Sequence, residues 1–303
     1  LYFPDSLYFP DSLYFPDSLY FPDSLYSPAD QSNRSVWSTA AIETSNIDAS
    51  QVSGLEVRGA NVLASELSIT NTSGLDQQMS HQDDPIELRS GGHGVILDSA
   101  HAAHFVDVNI AENAGVGLLG RDLGKQPEDQ EKLRLESSSV SDNSAGGVFA
   151  FSKDSEFGGA MELHDSQVGS NHGFGVLGAG VDFESQESQF SGTVPAEYAA
   201  FEDMEFADGL HFPAFTRVEL SSGRVSENDR AGCYVGNAVE QSNSVPVIVE
   251  DMEWSDNGEE GNAGLLLPEN TNYEYQTDES TTPRQVALDS PQEGFEGDFP
   301  EGL

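Results

Sequence analysis

Acidic side chains recur at matching positions of a repeated apolar-x-apolar motif. The middle position of successive copies holds Glu87, Arg134, Glu162, Asp182 and Glu219. The position just after the motif holds Arg89, Glu136, His164, Glu184 and Ser221. Carboxylates on neighbouring strands repel one another unless a cation lies between them, and oxygen ligands suit Ca²⁺. The simplest interpretation is a solvated acidic face, and the alternative is a Ca²⁺ site at Glu162, Asp182 and Glu219.

The same face carries residues whose types would suit catalysis. Glycoside hydrolysis needs two carboxyl groups about 5–10 Å apart in a cleft. The candidate acids are Glu162, Asp182, Glu184 and Glu219. Arg217 is the first candidate for a base, by proximity in the chain. Because nothing in the sequence selects a pair of these acids, a non-catalytic role for the face is preferred.

An aromatic insertion interrupts the repeat at residues 195–216. Insertions in solenoids usually project from one side, often the binding side. The insertion contains four aromatic residues that could form a glycan-binding groove: Tyr198, Phe201, Phe212 and Phe215. The alternative is that residues 201–206 form one more irregular turn of the repeat.

The charge of the chain limits its partners. There are 53 acidic and 12 basic residues among 303, for a net charge of −41. Nucleic acids are bound largely through Lys and Arg, so we expect no nucleic-acid partner. The sequence has no apolar run long enough for a membrane-spanning helix. So high a charge makes the folded chain repel itself unless salt or cations screen it.

The elements that would position these residues are short strands of a repeat, seen most clearly in residues 133–151, LRLESSSVSDNSAGGVFAF. Each copy has an Asn three residues after an apolar residue, followed by a Gly. These residues are Asn113, Asn143, Asn171, Asn228 and Asn257, with Gly115, Gly146, Gly173, Gly232 and Gly264. Residues 181–193 form a further copy, with Thr193 in place of Asn. Stacked Asn side chains can hydrogen-bond along a column, and Gly can supply positive φ at a corner.

The repeat predicts an all-β solenoid between two tails. Copies recur every 22–35 residues without a helical pattern, which is typical of stacked short strands. We expect the solenoid to span residues 34–267. Residues 1–33 begin with four exact copies of LYFPDS, whose regularly spaced prolines predict a disordered tail. Residues 268–303 are polar and acidic, and we expect them to be disordered as well.

The Asn and Gly corners and the apolar-x-apolar strands resemble those of right-handed parallel β-helix proteins, the pectate-lyase-like superfamily. The resemblance covers roughly residues 36–267 and implies a single-stranded, right-handed parallel β-helix. It also implies an exported or cell-surface protein, for which we expect non-catalytic binding of a glycan or Ca²⁺ on the acidic face. One alternative is a polysaccharide lyase or glycoside hydrolase, since lyases of this superfamily combine acidic Ca²⁺ ligands with a basic residue. The other alternative is a purely structural spacer.

Overall fold

The described part of the chain consists of β-strands and their connections. The computed structural model describes residues 7–8, 39–48, 53–58, 60–73, 92–98, 100, 102–121, 132–151, 159–195, 207–238, 245–258, 264–266 and 273–277. No helix occurs in these ranges. The strands are β1 (Leu7–Tyr8), β2 (Thr39–Asp48), β3 (Ser53–Arg58), β4 (Asn61–Thr70), β5 (His93–Asp98), β6 (Ala103–Val106), β7 (Asn109–Ala111), β8 (Leu118–Arg121), β9 (Lys132–Glu136), β10 (Ser139–Ser141), β11 (Val148–Phe151), β12 (Gly159–His164), β13 (Gln167–Gly169), β14 (Phe174–Gln186), β15 (Gln189–Ser191), β16 (Asp208–Ser221), β17 (Arg224–Ser226), β18 (Ala231–Ala238), β19 (Val245–Glu250), β20 (Glu253–Ser255), β21 (Leu265–Leu266) and β22 (Tyr273–Thr277).

The strands pair in parallel with strands one repeat away, in three stacks. Stack A contains the first parts of β2 and β4, then β6, β9, β12, the second parts of β14 and β16, β19 and β22. Stack B contains the ends of β2 and β4, then β7, β10, β13, β15, β17 and β20. Stack C contains β3, β5, β8, β11, the first parts of β14 and β16, β18 and β21. The chain visits A, B and C in turn, so the prediction of an all-β fold with parallel strands is confirmed.

The three stacks enclose one continuous apolar core. Alternate residues of a strand point to opposite faces, and the apolar positions of the repeat are the inward ones. Stack A contributes Leu133 and Leu135 of β9, stack B contributes Val140 of β10, and stack C contributes Val148 of β11; all four are at most 1% exposed. A single turn could not bury these side chains, whereas stacked turns cover one another.

The predicted asparagines lie in buried corners between stacks B and C. Asn143 donates from Nδ2 to Oδ1 of Asn171 (3.0 Å) and to the carbonyl of Ile110 (3.3 Å), and its Oδ1 accepts from Nδ2 of Asn113 (2.8 Å). Asn228 donates in the same way to Asn257 (2.8 Å). These bonds satisfy buried backbone and side-chain groups that water cannot reach.

A second column of polar side chains lies at the corner between stacks A and B. The hydroxyl oxygens of Ser138, Ser166 and Ser188 accept the backbone N–H of Val108, Ser138 and Ser166, at 3.1–3.2 Å. Ser138 and Ser166 each donate to the carbonyl two residues earlier, at 2.8 Å. The serines therefore join successive turns as the asparagines do, although the sequence analysis did not single them out.

The corners turn at polar residues rather than at the predicted glycines. Thirteen described non-glycine residues have positive φ, between 46° and 59°, and they lie at the A–B and B–C corners. They are Glu66, Asp107, Ser137, Asp165, Glu187, Ser222 and Asp251 at the first corner, and Asn71, Glu112, Asp142, Ser170, Glu227 and Asp256 at the second. At the second corner the residue with positive φ directly precedes the inward-stacked residue of that corner, as Asp142 precedes Asn143.

The prediction that all five glycines supply positive φ is wrong. Of the five, only Gly146 (126°) and Gly173 (91°) have positive φ. At Gly115 and Gly232 glycine is required for a different reason, because neighbouring atoms leave no room for a Cβ. A Cβ on Gly232 would lie 2.6 Å from the carbonyl oxygen of Gly264, and one on Gly115 would lie 2.6 Å from Nδ1 of His93. These five glycines also do not form one column, because Gly232 and Gly264 stack with Gly209 rather than with the other three.

Two described strands lie within the segments for which the sequence predicts disorder. β22 pairs in parallel with β19 and adds a turn to stack A beyond residue 267. β1 pairs antiparallel with β3. An edge strand offers unpaired N–H and C=O groups to any segment that can extend beside it, so pairing of these two strands does not require a long apolar sequence.

Candidate cation-binding site

The outward face of stack A brings three glutamates into one column. Glu162 of β12 lies in register with Glu184 of β14, which lies in register with Glu219 of β16. Asp182 lies two residues earlier and pairs in register with Arg217. The predicted alignment of Asp182 with Glu162 and Glu219 is therefore wrong, and Glu184 takes its place.

The predicted motif in β14 is displaced by two residues from the observed one, and the sequence of β14 explains the error. Val181-Asp182-Phe183 matches the apolar-x-apolar motif, but the structure pairs Phe183 with Met161 and Ser185 with Leu163. Ser185 thus occupies an inward position that is apolar in the neighbouring turn, and it is 1% exposed. A buried serine at this position hid the true motif, Phe183-Glu184-Ser185.

Cations already neutralise two of the three glutamates. Lys132 forms an ion pair with Glu162, which is 9% exposed. Nε of Arg217 donates to Oε1 of Glu219 at 2.9 Å. In the described part of the chain no hydrogen bond or ion pair reaches Glu184, so this carboxylate lies between two paired neighbours without a counterion of its own.

His164 completes a cluster of potential ligands with Glu162 and Glu184. One donor atom from each of the three residues lies within 4.8 Å of the other two. Nε2 of His164 is 3.8 Å from Oε2 of Glu162. This nitrogen is buried yet has no hydrogen-bond partner among the described residues. An imidazole nitrogen so placed can donate its lone pair to a cation located between the two carboxylates.

The donor set favours a particular class of metal. Ca²⁺ takes oxygen ligands almost exclusively, whereas imidazole and carboxylate together suit Zn²⁺ and neighbouring first-row ions. The predicted Ca²⁺ ligands Asp182 and Glu219 lie outside this cluster, and Arg217 engages Glu219. The cluster therefore fits a borderline divalent ion better than Ca²⁺.

The turn before the cluster is balanced in charge. Arg134, in register with Glu162, donates to Oε2 of Glu136 at 3.1 Å. Nε2 of His104 is 3.3 Å from the same oxygen. Among the three glutamates of this column, the charge left without a counterion is thus that of Glu184, between Glu162 and Glu219.

The predicted aromatic groove is only partly described. Phe212 is fully buried and packs against Phe183, with ring centroids 4.8 Å apart, so it belongs to the core and not to a surface groove. Residues 208–215 lie in the first part of β16, whose pairing with β14 in stack C contains register shifts. Residues 201–206, which the alternative assigned to an irregular turn of the repeat, lie outside the described residues. Tyr198, Phe201 and the side chain of Phe215 lie outside the described residues.

A buried charged network that the sequence analysis missed lies in stack C. Asp208 has no exposed surface, and its Oδ2 is 2.6 Å from Nδ1 of His211. Nε of Arg230 donates to Oδ1 of Asp208 at 2.8 Å. The ring of Tyr234 stacks on His211, with centroids 4.7 Å apart and planes at 17°. Asp208 and Arg230 meet because β16 and β18 are neighbouring strands, although 22 residues separate the two in the sequence.

Burial and pairing set the charges of this network. Burial disfavours ionised Asp208, but hydrogen bonds from His211 and Arg230 outweigh it, so the pKa of Asp208 lies below its ordinary value. Burial lowers the pKa of His211 despite the carboxylate. A neutral His211 then donates its Nδ1 proton to Asp208. The signal in the sequence was an aspartate at a position that is apolar in the adjacent turns, Phe174 and Ala231.

Comparison with known proteins gives no relative from which a function could be transferred. No protein-family model, no curated protein and no solved structure matches this chain. Among the described residues, no helix has the length and hydropathy needed to cross a membrane.

Proposed function

We propose that this chain is a right-handed parallel β-helix of the pectate-lyase-like kind and a non-catalytic, exported or cell-surface protein. In this proposal it holds a divalent cation on the outward face of stack A and thereby binds an acidic glycan. The observation that carries the proposal is the cluster of Glu162, His164 and Glu184, whose donor atoms lie within 4.8 Å of one another. Parallel pairing from turn to turn and the buried asparagine column support the β-helix.

The charge of the chain supports a bridging role for the cation. At a net charge of −41 the chain repels a polyuronide. A divalent ion held by three protein ligands keeps open positions that carboxylates of a glycan can fill. Affinity for the glycan should therefore depend on the ion.

Binding of the ion can be tested directly by titration calorimetry with Zn²⁺, Mn²⁺ and Ca²⁺ after treatment with a chelator. We expect Zn²⁺ or Mn²⁺ to bind more tightly than Ca²⁺, and we expect Glu184→Gln and His164→Gln each to weaken binding about 10- to 100-fold. Glu227→Gln removes the same charge from an exposed corner away from the cluster and should leave binding unchanged. Equal weakening in all three variants would contradict a specific site.

The glycan is tested by retention on polyuronides with and without the ion, together with the chain length of the glycan after incubation. Retention only with the ion, on chains of unchanged length, supports the proposal. Shortened chains would instead establish a lyase or hydrolase, and Glu162, Glu184, Glu219 and Arg217 would be the first residues to replace. If the protein is not retained on any polyuronide, with or without the ion, the purely structural spacer becomes the preferred function.

A further inference from the structure

The N-terminal edge of stack C carries the single antiparallel pairing among the described strands. β3 pairs in parallel with β5 on one side. On its other side it pairs with β1, where Leu7 lies opposite Val57 and Tyr8 opposite Glu56. β1 belongs to the second copy of LYFPDS. A segment of the tandem repeat therefore covers the edge at which stack C begins.

We propose that the LYFPDS copies are interchangeable capping strands for the edge of β3. The four copies are identical, so Leu1, Leu13 or Leu19 can take the place of Leu7 without any change in the local sequence. A strand has a period of two residues, and a six-residue shift is a multiple of two. Each exchange therefore keeps leucine opposite Val57 and tyrosine opposite Glu56.

The composition of the repeat suits a short cap. Proline lacks a backbone N–H and is tolerated at sheet edges, so a repeat with one proline in every six residues favours short pairings. Proline and charged residues are also the means by which proteins prevent edge strands from recruiting further strands. Each copy supplies both, a proline followed by an aspartate.

Tandem copies also strengthen a weak pairing. A two-residue strand pairs weakly by itself, but attachment to the same chain keeps its local concentration high. Four equivalent copies give a statistical advantage of about fourfold over one copy. The repeat thus maintains coverage of the edge even though each individual pairing is short.

The test is hydrogen exchange of the peptide covering residues 53–58 in the full-length chain. One variant carries Leu7→Gly, Tyr8→Ser and Phe9→Gly in the second copy alone, and a second variant carries the same changes in all four copies. If the copies are interchangeable, exchange rises only about 1.3-fold in the first variant, as expected for three copies in place of four. It rises about tenfold or more in the second, because no copy remains to pair with β3.

Two controls keep the result interpretable. The peptide covering residues 139–141 lies inside stack B and should exchange equally in all three proteins, which shows that the variants are folded. A synthetic peptide of two LYFPDS copies, added to the four-copy variant, should restore protection of residues 53–58. Unchanged protection in the four-copy variant would overturn the proposal. Full loss in the second-copy variant, or protection that depends on protein concentration, would overturn it in favour of a fixed strand or of pairing between molecules.

Discussion

At the scale of single residues, His93 of β5 is the clearest case of a side chain whose charge is set by its position. It is 4% exposed, and its Nδ1 accepts the backbone N–H of Val116 at 3.0 Å. Burial, aided by the positive charge of Arg121, lowers the pKa of His93 to about 4. The imidazole is therefore neutral in the folded chain at neutral pH.

This residue should make stability fall with acid. In the unfolded chain His93 takes up a proton below its ordinary pKa of 6.5, whereas the folded chain does so only near 4. The contribution is thus complete above pH 6.5 and is lost as pH falls toward 4, by about 3 kcal/mol in all. Asn at this position keeps an acceptor for Val116 and does not titrate, so we expect His93→Asn to lose about 3 kcal/mol less over this range. Denaturant unfolding at pH 7.5, 6 and 4.5 measures the difference, and parallel curves for the two proteins would contradict it.

At the scale of elements, the asparagine column ties short strands into turns. It is interrupted at Thr193, whose backbone N–H donates to Oδ1 of Asn228 at 3.1 Å but whose buried hydroxyl has no partner among the described residues. The column therefore has two segments, Asn113 to Asn171 and Asn228 to Asn257, and the turn between them depends more on apolar packing.

Replacement within the column should cost more than replacement at its gap. Asn143→Ala removes side-chain bonds to Asn113, Asn171 and Ile110 and leaves buried polar groups without partners. We expect a loss of about 2–4 kcal/mol in the free energy of unfolding. Thr193→Ala removes an unpartnered hydroxyl and should cost less than about 1 kcal/mol. Urea unfolding of the two variants provides the comparison, and equal losses would show that the hydrogen bonds of the column contribute little.

At the scale of the whole molecule, repulsion between negative charges opposes the fold that the asparagine and serine columns stabilise. The chain carries 41 more acidic than basic residues. Ion pairs such as Lys132 with Glu162 and Arg230 with Asp208 use up part of the small number of cationic side chains. Exposed carboxylates such as Glu112, Glu187 and Glu227 therefore add to the negative potential that opposes folding.

Salt should stabilise the molecule by screening this repulsion. At 1 M ionic strength the screening length falls to about 3 Å, shorter than the spacing between turns. We expect the melting temperature to rise by about 5 °C or more between 20 mM and 1 M NaCl, which corresponds to about 2 kcal/mol. A variant with Glu112→Gln, Glu187→Gln and Glu227→Gln should melt higher at low salt and respond less to NaCl. A melting temperature that is independent of salt in both proteins would contradict the argument.

The repeat, the apolar positions and the asparagine corners could be predicted from sequence because each depends on residues close together in the chain. Leu133, Val140 and Asn143 recur at similar spacing in most turns, and a period-two pattern specifies which side chains are inward. The parallel arrangement followed from the same repeat, since each turn needs a neighbour to cover its apolar residues. The acidic character of stack A was equally visible in the sequence.

Only the tertiary structure decided which residues meet. Register between turns depends on the packing of whole strands, so it placed Glu184 and not Asp182 beside Glu162. The same packing buried Phe212 and joined Asp208 to Arg230 from neighbouring turns. The edge strand β3 likewise paired with a segment far away in the chain. The sequence by itself determined the content of each turn, because local periodicity is a property of adjacent residues. The residues of the proposed cation site and of the proposed cap came together only in the structure, because contacts between turns depend on loop lengths and register that no single turn encodes.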